Sequence, residues 1–147
     1  MNLGKNTKIV RVSNAEAAAT TDINSTGVDT QGFNGVMFMV LFGTITASAV
    51  TSIHAEQSSD DGSSDAYADL TGTNVAVADD DDNQIFWLDI NRPLERYVRC
   101  VVDRGTQNAV VDGIVAVLYD PIDMPTTHDA TTVGGGEVHS GVAEGTI

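Results

Sequence analysis

Alternating apolar and polar positions recur along most of the chain and predict a series of β-strands. Within 95–104, Val98, Cys100 and Val102 share one parity, and charged residues occupy much of the other. This is the period of a strand with one buried face, so we expect Cys100 to be a small core residue. The run 35–42 is apolar at both parities. It predicts a central strand that is covered on both faces.

The other predicted elements are short and closely spaced. Further strands are predicted over 8–12, 21–30 (exposed or at an edge), 50–57, 67–70, 75–78, 84–90 and 109–119. The Ala-rich segment 14–20 predicts one helical turn or a loop, and 105–108 predicts a turn that joins the last two strands as a hairpin. About eight strands of this kind predict an all-β fold, an antiparallel, jelly-roll-like β-sandwich with extended N- and C-terminal arms.

Composition agrees with this class and suggests the domain limits. Val, Ile and Thr make up 43 of the 147 residues, against 6 Leu and 2 Lys, and β-branched side chains favour strands over helices. We expect an N-terminal arm or first strand over 1–12, the sandwich over 13–123 and a Gly-rich C-terminal arm over 124–147. The last 23 residues contain no aromatic, Leu, Lys or Arg, so this arm cannot order itself by burial, and it could either be ordered by a neighbouring subunit or be a frayed terminus.

The net charge of -14 excludes several classes of partner. Nucleic-acid binding needs a basic surface, and an anionic membrane would repel the chain. The longest apolar run is too short to span a bilayer, and the polar N-terminus predicts synthesis in the cytoplasm rather than export. Much of the acidity falls in 60–69 and 79–82, and we expect these two loops to be a solvent-facing crown on an oligomer.

The sequence carries few patterns that indicate chemistry. No two histidines have the helical spacing of a metal site, and no nucleophile elbow, phosphate loop or dinucleotide fingerprint is present. We therefore expect no enzyme activity, no cofactor and no histidine metal site. Asp60, Asp61 and Asp65 are a possible calcium site, although the EF-hand pattern is lacking and a solvated loop is the favoured interpretation. Trp87 and Tyr97 could form a sugar-stacking platform, with packing as the favoured alternative.

The order of features in the middle of the chain resembles the small decoration, or cement, proteins of tailed-bacteriophage capsids. An apolar strand (35–42) precedes an extended segment that ends in Glu-Gln and leads into Ser-Ser-Asp-Asp-Gly (50–62). An aromatic residue with Asp-Leu-Thr-Gly follows (67–72), and the strands 96–102 and 115–120 resemble the closing strands of those proteins. The similarity covers roughly 33–120. It implies a structural, non-enzymatic virion protein that is often trimeric. Such a protein binds the major capsid protein at subunit junctions on the outer surface and stabilises the expanded head.

Under this resemblance the termini are the candidates for attachment. Lys5, Lys8, Ile9 and Arg11 are the candidate capsid-binding residues, because the basic side chains suit an acidic capsid surface and the strand could add to a capsid sheet edge. The C-terminal arm could instead cross to a neighbouring protomer. The alternative function is a calcium- or carbohydrate-binding sandwich module on a virion or cell surface. Another small head or tail role also remains open.

Overall fold

The strands predicted from the pattern are present and lie in two antiparallel sheets. A computed structural model describes residues 1–145 of the chain. The elements are α1 (Leu3–Asn6), β1 (Lys8–Ser13), β2 (Glu16–Ala19), β3 (Ile23–Asn24), β4 (Val28–Asp29), β5 (Phe33–Ile45), β6 (Val50–Ser58), β7 (Ala68–Asp69), β8 (Val75–Val77), β9 (Ile85–Asn91), β10 (Tyr97–Gly105) and β11 (Ala109–Pro121). Among the described residues, no helix is long and apolar enough to cross a membrane.

The two sheets follow the strand order of a jelly roll. The five-stranded sheet has the order β1-β11-β5-β9, with β2 also paired to β11. The six-stranded sheet has the order β3-β10-β6-β7, with β4 on β10 and β8 on β6. If β1/β2, β3/β4 and β7/β8 each count as one interrupted strand, eight positions result. The first then pairs with the last, the second with the second last, and so on inward, as in a long hairpin rolled into two sheets. The predicted all-β sandwich is confirmed.

The core lies between the two sheets and uses one parity of each central strand. Val36, Phe38 and Val40 of β5 are fully buried, and Val98 and Val102 face them from β10. Full burial of one such side chain contributes about 1.5–3 kcal/mol relative to exposure. Cys100 is also fully buried, as its parity predicts.

The prediction that 35–42 is covered on both faces is wrong for the outer face. β5 is central within its sheet, since it pairs with β11 and β9. Met37, Met39 and Leu41, at the outward parity, are nevertheless only half-buried. An apolar run at both parities therefore indicates a strand with neighbours on both sides, and here one of its faces lacks a covering layer.

Two local predictions also need correction. The segment 14–20 contains strand β2, which pairs with β11 through Ala19 and Ala109. The turn after β10 does not make a hairpin, because β10 and β11 belong to different sheets. The segment 21–30, predicted to be an exposed or edge strand, does contain the edge strands β3 and β4, and their Ile23 and Val28 are buried.

The C-terminal arm lies along the edge of β1 in the same chain. The Ile9 N–H donates to His128 Nδ1 at 3.1 Å, and the Arg11 N–H donates to Thr132 Oγ1 at 3.2 Å. The Thr126 N–H donates to the carbonyl of Lys5 at 2.9 Å. The arm is therefore held over 126–132 by contacts within its own chain, and its contact with a neighbouring subunit stays a prediction. Residues 146 and 147, the end of this predicted arm, lie outside the described residues.

Candidate functional site

The outer face of the five-stranded sheet is apolar, and it is the main candidate site. Register places Met37 between Val117 and Asp89, and Met39 between Val115 and Trp87. Residues paired across antiparallel strands point to the same side of the sheet, so this parity forms a continuous surface. The apolar face consists of Ile9, Met37, Met39, Leu41, Ile85, Trp87, Val115 and Val117.

The apolar face is open, and its charged residues lie at its borders: Arg11 pairs with Val115 on the β1 side, and Asp89 pairs with Met37 on the β9 side. Trp87 is 62% and Ile85 60% exposed. Asp89, at the border of the face, accepts a hydrogen bond from the Tyr119 hydroxyl at 2.6 Å. Burial, together with this contact, raises the pKa of Tyr119 to about 12, so the phenol remains a neutral donor. Gly35 leaves room for the ring, since a Cβ there would meet a Tyr119 ring carbon at 2.2 Å.

An open groove extends the apolar face towards the chain termini. It has a volume of about 580 Å³. Met37 and Val117 of the sheet line it, together with Leu3 of α1 and Met124 of the arm. Leu3 and Met124 are 63% and 65% exposed, so the terminal segments add apolar surface beside the sheet.

The two acidic loops lie at opposite ends of the sandwich. The loop 59–67 follows the end of β6. The loop 78–84 follows β8, which pairs with Thr51–Ile53 near the start of β6, and its Asp82 accepts the Ile45 N–H at 2.6 Å. Negative charge lies at both ends of the molecule and leaves the apolar face between them.

The three aspartates predicted as a possible calcium site hold their own loop. Asp60 accepts backbone N–H groups of Ser63, Ser64 and Asp65 at 2.8–3.1 Å, and these bonds, led by that from Asp65, lower the pKa of Asp60. Asp65 accepts from the Ser59 N–H and hydroxyl, and Asp61 accepts the Tyr67 hydroxyl. Within the described residues, these three carboxylates do not bring their oxygens within 4.8 Å of one another, as the ligands of one metal ion would need.

A polar cluster lies on the outer face of the six-stranded sheet. We call it the His54 cluster, and it comprises His54, Glu56, Asp69, Arg99 and Asp103. His54 Nδ1 is 2.9 Å from Asp103 Oδ2, while His54 Nε2 is 3.3 Å from Asp69 Oδ1 and 3.8 Å from Glu56 Oε1. Arg99 pairs with the other oxygen of Glu56. In the part of the chain that is described, only His54, Glu56 and Asp69 form a group that could hold a metal ion.

Strand register assembles this cluster, and the spacing of histidines along the sequence did not predict it. Glu56 pairs with Asp69 on one side and with Arg99 on the other. His54 and Glu56 are two residues apart on β6, so they share a face. A search for His-x-Glu at strand spacing would have found these two ligands. Asp69 and Asp103 become neighbours only through the fold.

The His54 cluster lacks the geometry of a catalytic triad. The Ser52 hydroxyl donates to Asp103 Oδ2 at 3.0 Å, the same oxygen that His54 Nδ1 contacts. In a triad the histidine lies between the carboxylate and the hydroxyl and accepts the hydroxyl proton. Here the carboxylate lies between them, so the arrangement holds the imidazole without activating Ser52.

Two of the predicted capsid-binding residues have accessible side chains, but the backbone edge of β1 is occupied. Lys5 in α1 and Arg11 in β1 are exposed, whereas Lys8 and Ile9 are half-buried. Because the arm binds the N–H groups of Ile9 and Arg11, the β1 edge is not free to add to a capsid sheet there. The basic side chains remain available.

The remaining candidates from the sequence are the Trp87–Tyr97 pair and Cys100. Trp87 lies on β9 of the five-stranded sheet and Tyr97 on β10 of the six-stranded sheet, so the two rings do not form one sugar-stacking platform. Burial raises the pKa of the Cys100 thiol to about 12. A thiol in this state is a poor nucleophile.

Comparisons with known proteins place the chain in no family. No family model matches it, and no curated protein matches it. Among solved structures, it is similar to dimeric latent PorU from Porphyromonas gingivalis, with a TM-score of 0.40 and 10% sequence identity. The match covers 82% of this chain and 13% of the PorU chain, so this chain spans a small part of the length of that protein.

Proposed function

We propose that this chain is a structural protein that decorates the outer surface of a tailed-phage capsid as a homo-oligomer, most simply a trimer. It binds the major capsid protein where capsid subunits meet and stabilises the expanded head. The resemblance over 33–120 supports the class of protein. The observation that carries the proposal is the apolar face.

The apolar face has the composition of a protein interface. Interface cores are depleted in charged residues and enriched in aromatic residues and Met, and this face contributes Trp87, Met37 and Met39. The other large surfaces are charged. Both ends of the sandwich carry acidic loops, and the opposite outer face carries the His54 cluster.

A second copy of the same chain is the occupant that the charges favour. Two molecules that each carry a net charge of -14 repel unless they meet through a surface that is nearly neutral. The apolar face is such a surface. The face includes residues of β9, which pairs with β5 on one side and forms an edge of the five-stranded sheet. A neighbouring chain can therefore bury Trp87 along that edge.

The capsid contact is assigned to the basic side chains near the N-terminus. Lys5 and Arg11 are exposed and belong to the small set of cations on an acidic protein. Arg11 pairs with Val115 at the border of the apolar face, so Lys5 is the cation that lies apart from the contact between copies. An oligomer that presents several such patches binds more tightly than one chain because attachment is multivalent. Preferential binding to the expanded shell stabilises that shell by mass action.

Occupancy on expanded, undecorated capsids tests this function. Deletion of 1–12 would remove β1 from its sheet, so charge reversal is the sharper change. We expect Lys5→Glu to lower occupancy at least tenfold at low salt. Arg92→Glu, at an exposed position away from the N-terminus, is the matched control and retains occupancy.

Two results would contradict the proposal. The first is a wild-type protein that does not bind capsids of the phage that encodes it. The second is equal loss of occupancy for Arg92→Glu and for Lys5→Glu, because the effect would then reflect net charge alone.

A further inference from the structure

We propose that His54, Glu56 and Asp69 bind one divalent transition-metal ion, with Zn²⁺ as the best fit. The site lies on the outer face of the six-stranded sheet, on the other side of the sandwich from the apolar face. It is independent of capsid binding.

The tautomer of His54 is the first step of the argument. A carboxylate, when ionised, can only accept hydrogen bonds, so the 2.9 Å contact with Asp103 fits the tautomer with its proton on Nδ1. In the neutral ring, Nε2 then carries a lone pair. That lone pair faces oxygens of Asp69 and Glu56, which is unfavourable unless a cation lies between the three atoms.

The distances favour a metal ion over a proton as that cation. A charge-assisted N–H···O bond is about 2.7–2.9 Å long, and His54 Nε2 is 3.3 and 3.8 Å from the two carboxylate oxygens. Zinc ligands lie about 2.0–2.2 Å from the ion, so two of them at a tetrahedral angle are about 3.4 Å apart. All three ligand atoms lie within 4.8 Å of one another, and small rotations would complete the site.

The surroundings supply both orientation and access. Asp103 fixes the imidazole as the outer carboxylate of a carboxylate–histidine–metal arrangement does, and Arg99 holds the second oxygen of Glu56. An open cleft of about 530 Å³, which His54, Asp69 and Asp103 help to line, provides an entry path. Three protein ligands leave a fourth position for water.

The ligand types select the class of metal. One imidazole with two carboxylates suits Zn²⁺ and other borderline divalent ions, whereas Ca²⁺ prefers oxygen ligands alone. The negative net charge of the chain raises the local concentration of cations. Selectivity for Zn²⁺ over Ca²⁺ therefore comes from the nitrogen of His54.

Isothermal titration of untagged, chelator-treated protein with Zn²⁺ tests the site. We expect one ion per chain, no comparable binding of Ca²⁺, and a rise in Tm with Zn²⁺ that chelator reverses. Asp69→Asn changes a side chain that is 79% exposed, so the fold is retained and affinity falls at least tenfold. Asp103→Asn lowers affinity by about 10–100-fold through the orientation of His54.

His139→Ala is the control, because His139 contacts Glu137 at 3.0 Å in the C-terminal arm and offers a histidine–carboxylate pair outside the cluster. It keeps wild-type affinity. Absence of saturable Zn²⁺ binding would overturn the proposal. Equal affinities for wild type, Asp69→Asn and His54→Ala would overturn it by placing the ion elsewhere.

Discussion

Arg104 shows how one buried cation can join separate segments of this fold. Its side chain is 3% exposed and donates to the carbonyl oxygens of Thr21, Ala17 and Ala109 at 2.6–2.9 Å. It thereby links β10 to β2, to the segment after β2 and to the start of β11. Two of these acceptors, the carbonyls of Ala17 and Thr21, lie in and just after β2, between β1 and β3.

We expect Arg104→Met to lower the free energy of unfolding by about 2–4 kcal/mol, because three backbone carbonyl groups, among them the buried carbonyl of Ala109, lose their donor. Urea denaturation of both proteins measures the difference. Arg92→Met, at an exposed position, should change stability by less than about 0.5 kcal/mol. Similar midpoints for wild type and Arg104→Met would show that water replaces the guanidinium without cost.

Cys100 makes a second prediction at the same scale. Its thiol is fully buried and has a raised pKa of about 12, so the thiolate is scarce and inaccessible in the folded protein. We expect a disulfide reagent at about pH 8 to label the native chain far more slowly than a free thiol, and to label it completely in denaturant. Fast labelling of the native protein would contradict the described core.

Among the structural elements, the loop 59–67 links stability to pH through Asp60. Backbone hydrogen bonds, the largest from Asp65, lower the pKa of Asp60 below its unfolded value of 3.8. A lowered folded pKa contributes stability that is present above the unfolded value and is lost as pH falls through the folded value.

We therefore expect the local stability of this loop to fall as pH decreases below about 4, and the Asp60→Asn variant to lose part of that dependence. Carboxyl resonances followed by NMR should give Asp60 a lower midpoint than a model aspartate. A midpoint at or above the model value would contradict the hydrogen bonds described for this loop.

The C-terminal arm protects the β1 edge, and this also has a measurable consequence. Truncation after residue 124 removes the acceptors His128 and Thr132, so the N–H groups of Ile9 and Arg11 become exposed. We expect hydrogen exchange at these two amides to accelerate at least tenfold in the truncated protein. Truncation after residue 133 should leave both amides protected.

Slow exchange at Ile9 and Arg11 in the chain truncated after residue 124 would mean that the arm is not their partner. An uncovered strand edge also promotes edge-to-edge association. We therefore expect the chain truncated after residue 124 to aggregate more readily than the chain truncated after residue 133.

At this scale, the strands that could be predicted from sequence are those with clear alternation, such as β10. β2 could not be predicted, because Ala residues at successive positions show no strand period and also suit a helical turn. The turn after β10 shows that the chain reverses. It does not show which sheet the next strand joins, and β11 crosses to the other one.

For the whole molecule, composition predicts the class but not which surface is open. The apolar run in β5 gives the same pattern whether a second layer covers it or a partner does, so the sequence could not reveal the apolar face. The His54 cluster could not be predicted for a different reason. Its members are up to 49 residues apart, and only strand pairing brings Asp69 and Asp103 to His54.

Net charge gains meaning only after the surfaces are located. The acidic loops at the two ends of the sandwich keep those ends in solvent and disfavour end-to-end contacts. The nearly neutral apolar face is then the surface through which copies can meet. The central claim is that this face is an interface between copies of the chain.

Sedimentation equilibrium of the purified protein tests that claim most directly, with Trp87→Glu compared with Val50→Glu. Both residues are exposed apolar side chains on strands, at 62% and 66%, but Val50 lies on β6 in the other sheet. We predict a mass of three 15.4-kDa chains for wild type and Val50→Glu, and a single chain for Trp87→Glu. A monomeric wild type, or an oligomer that Trp87→Glu leaves intact, would contradict the claim.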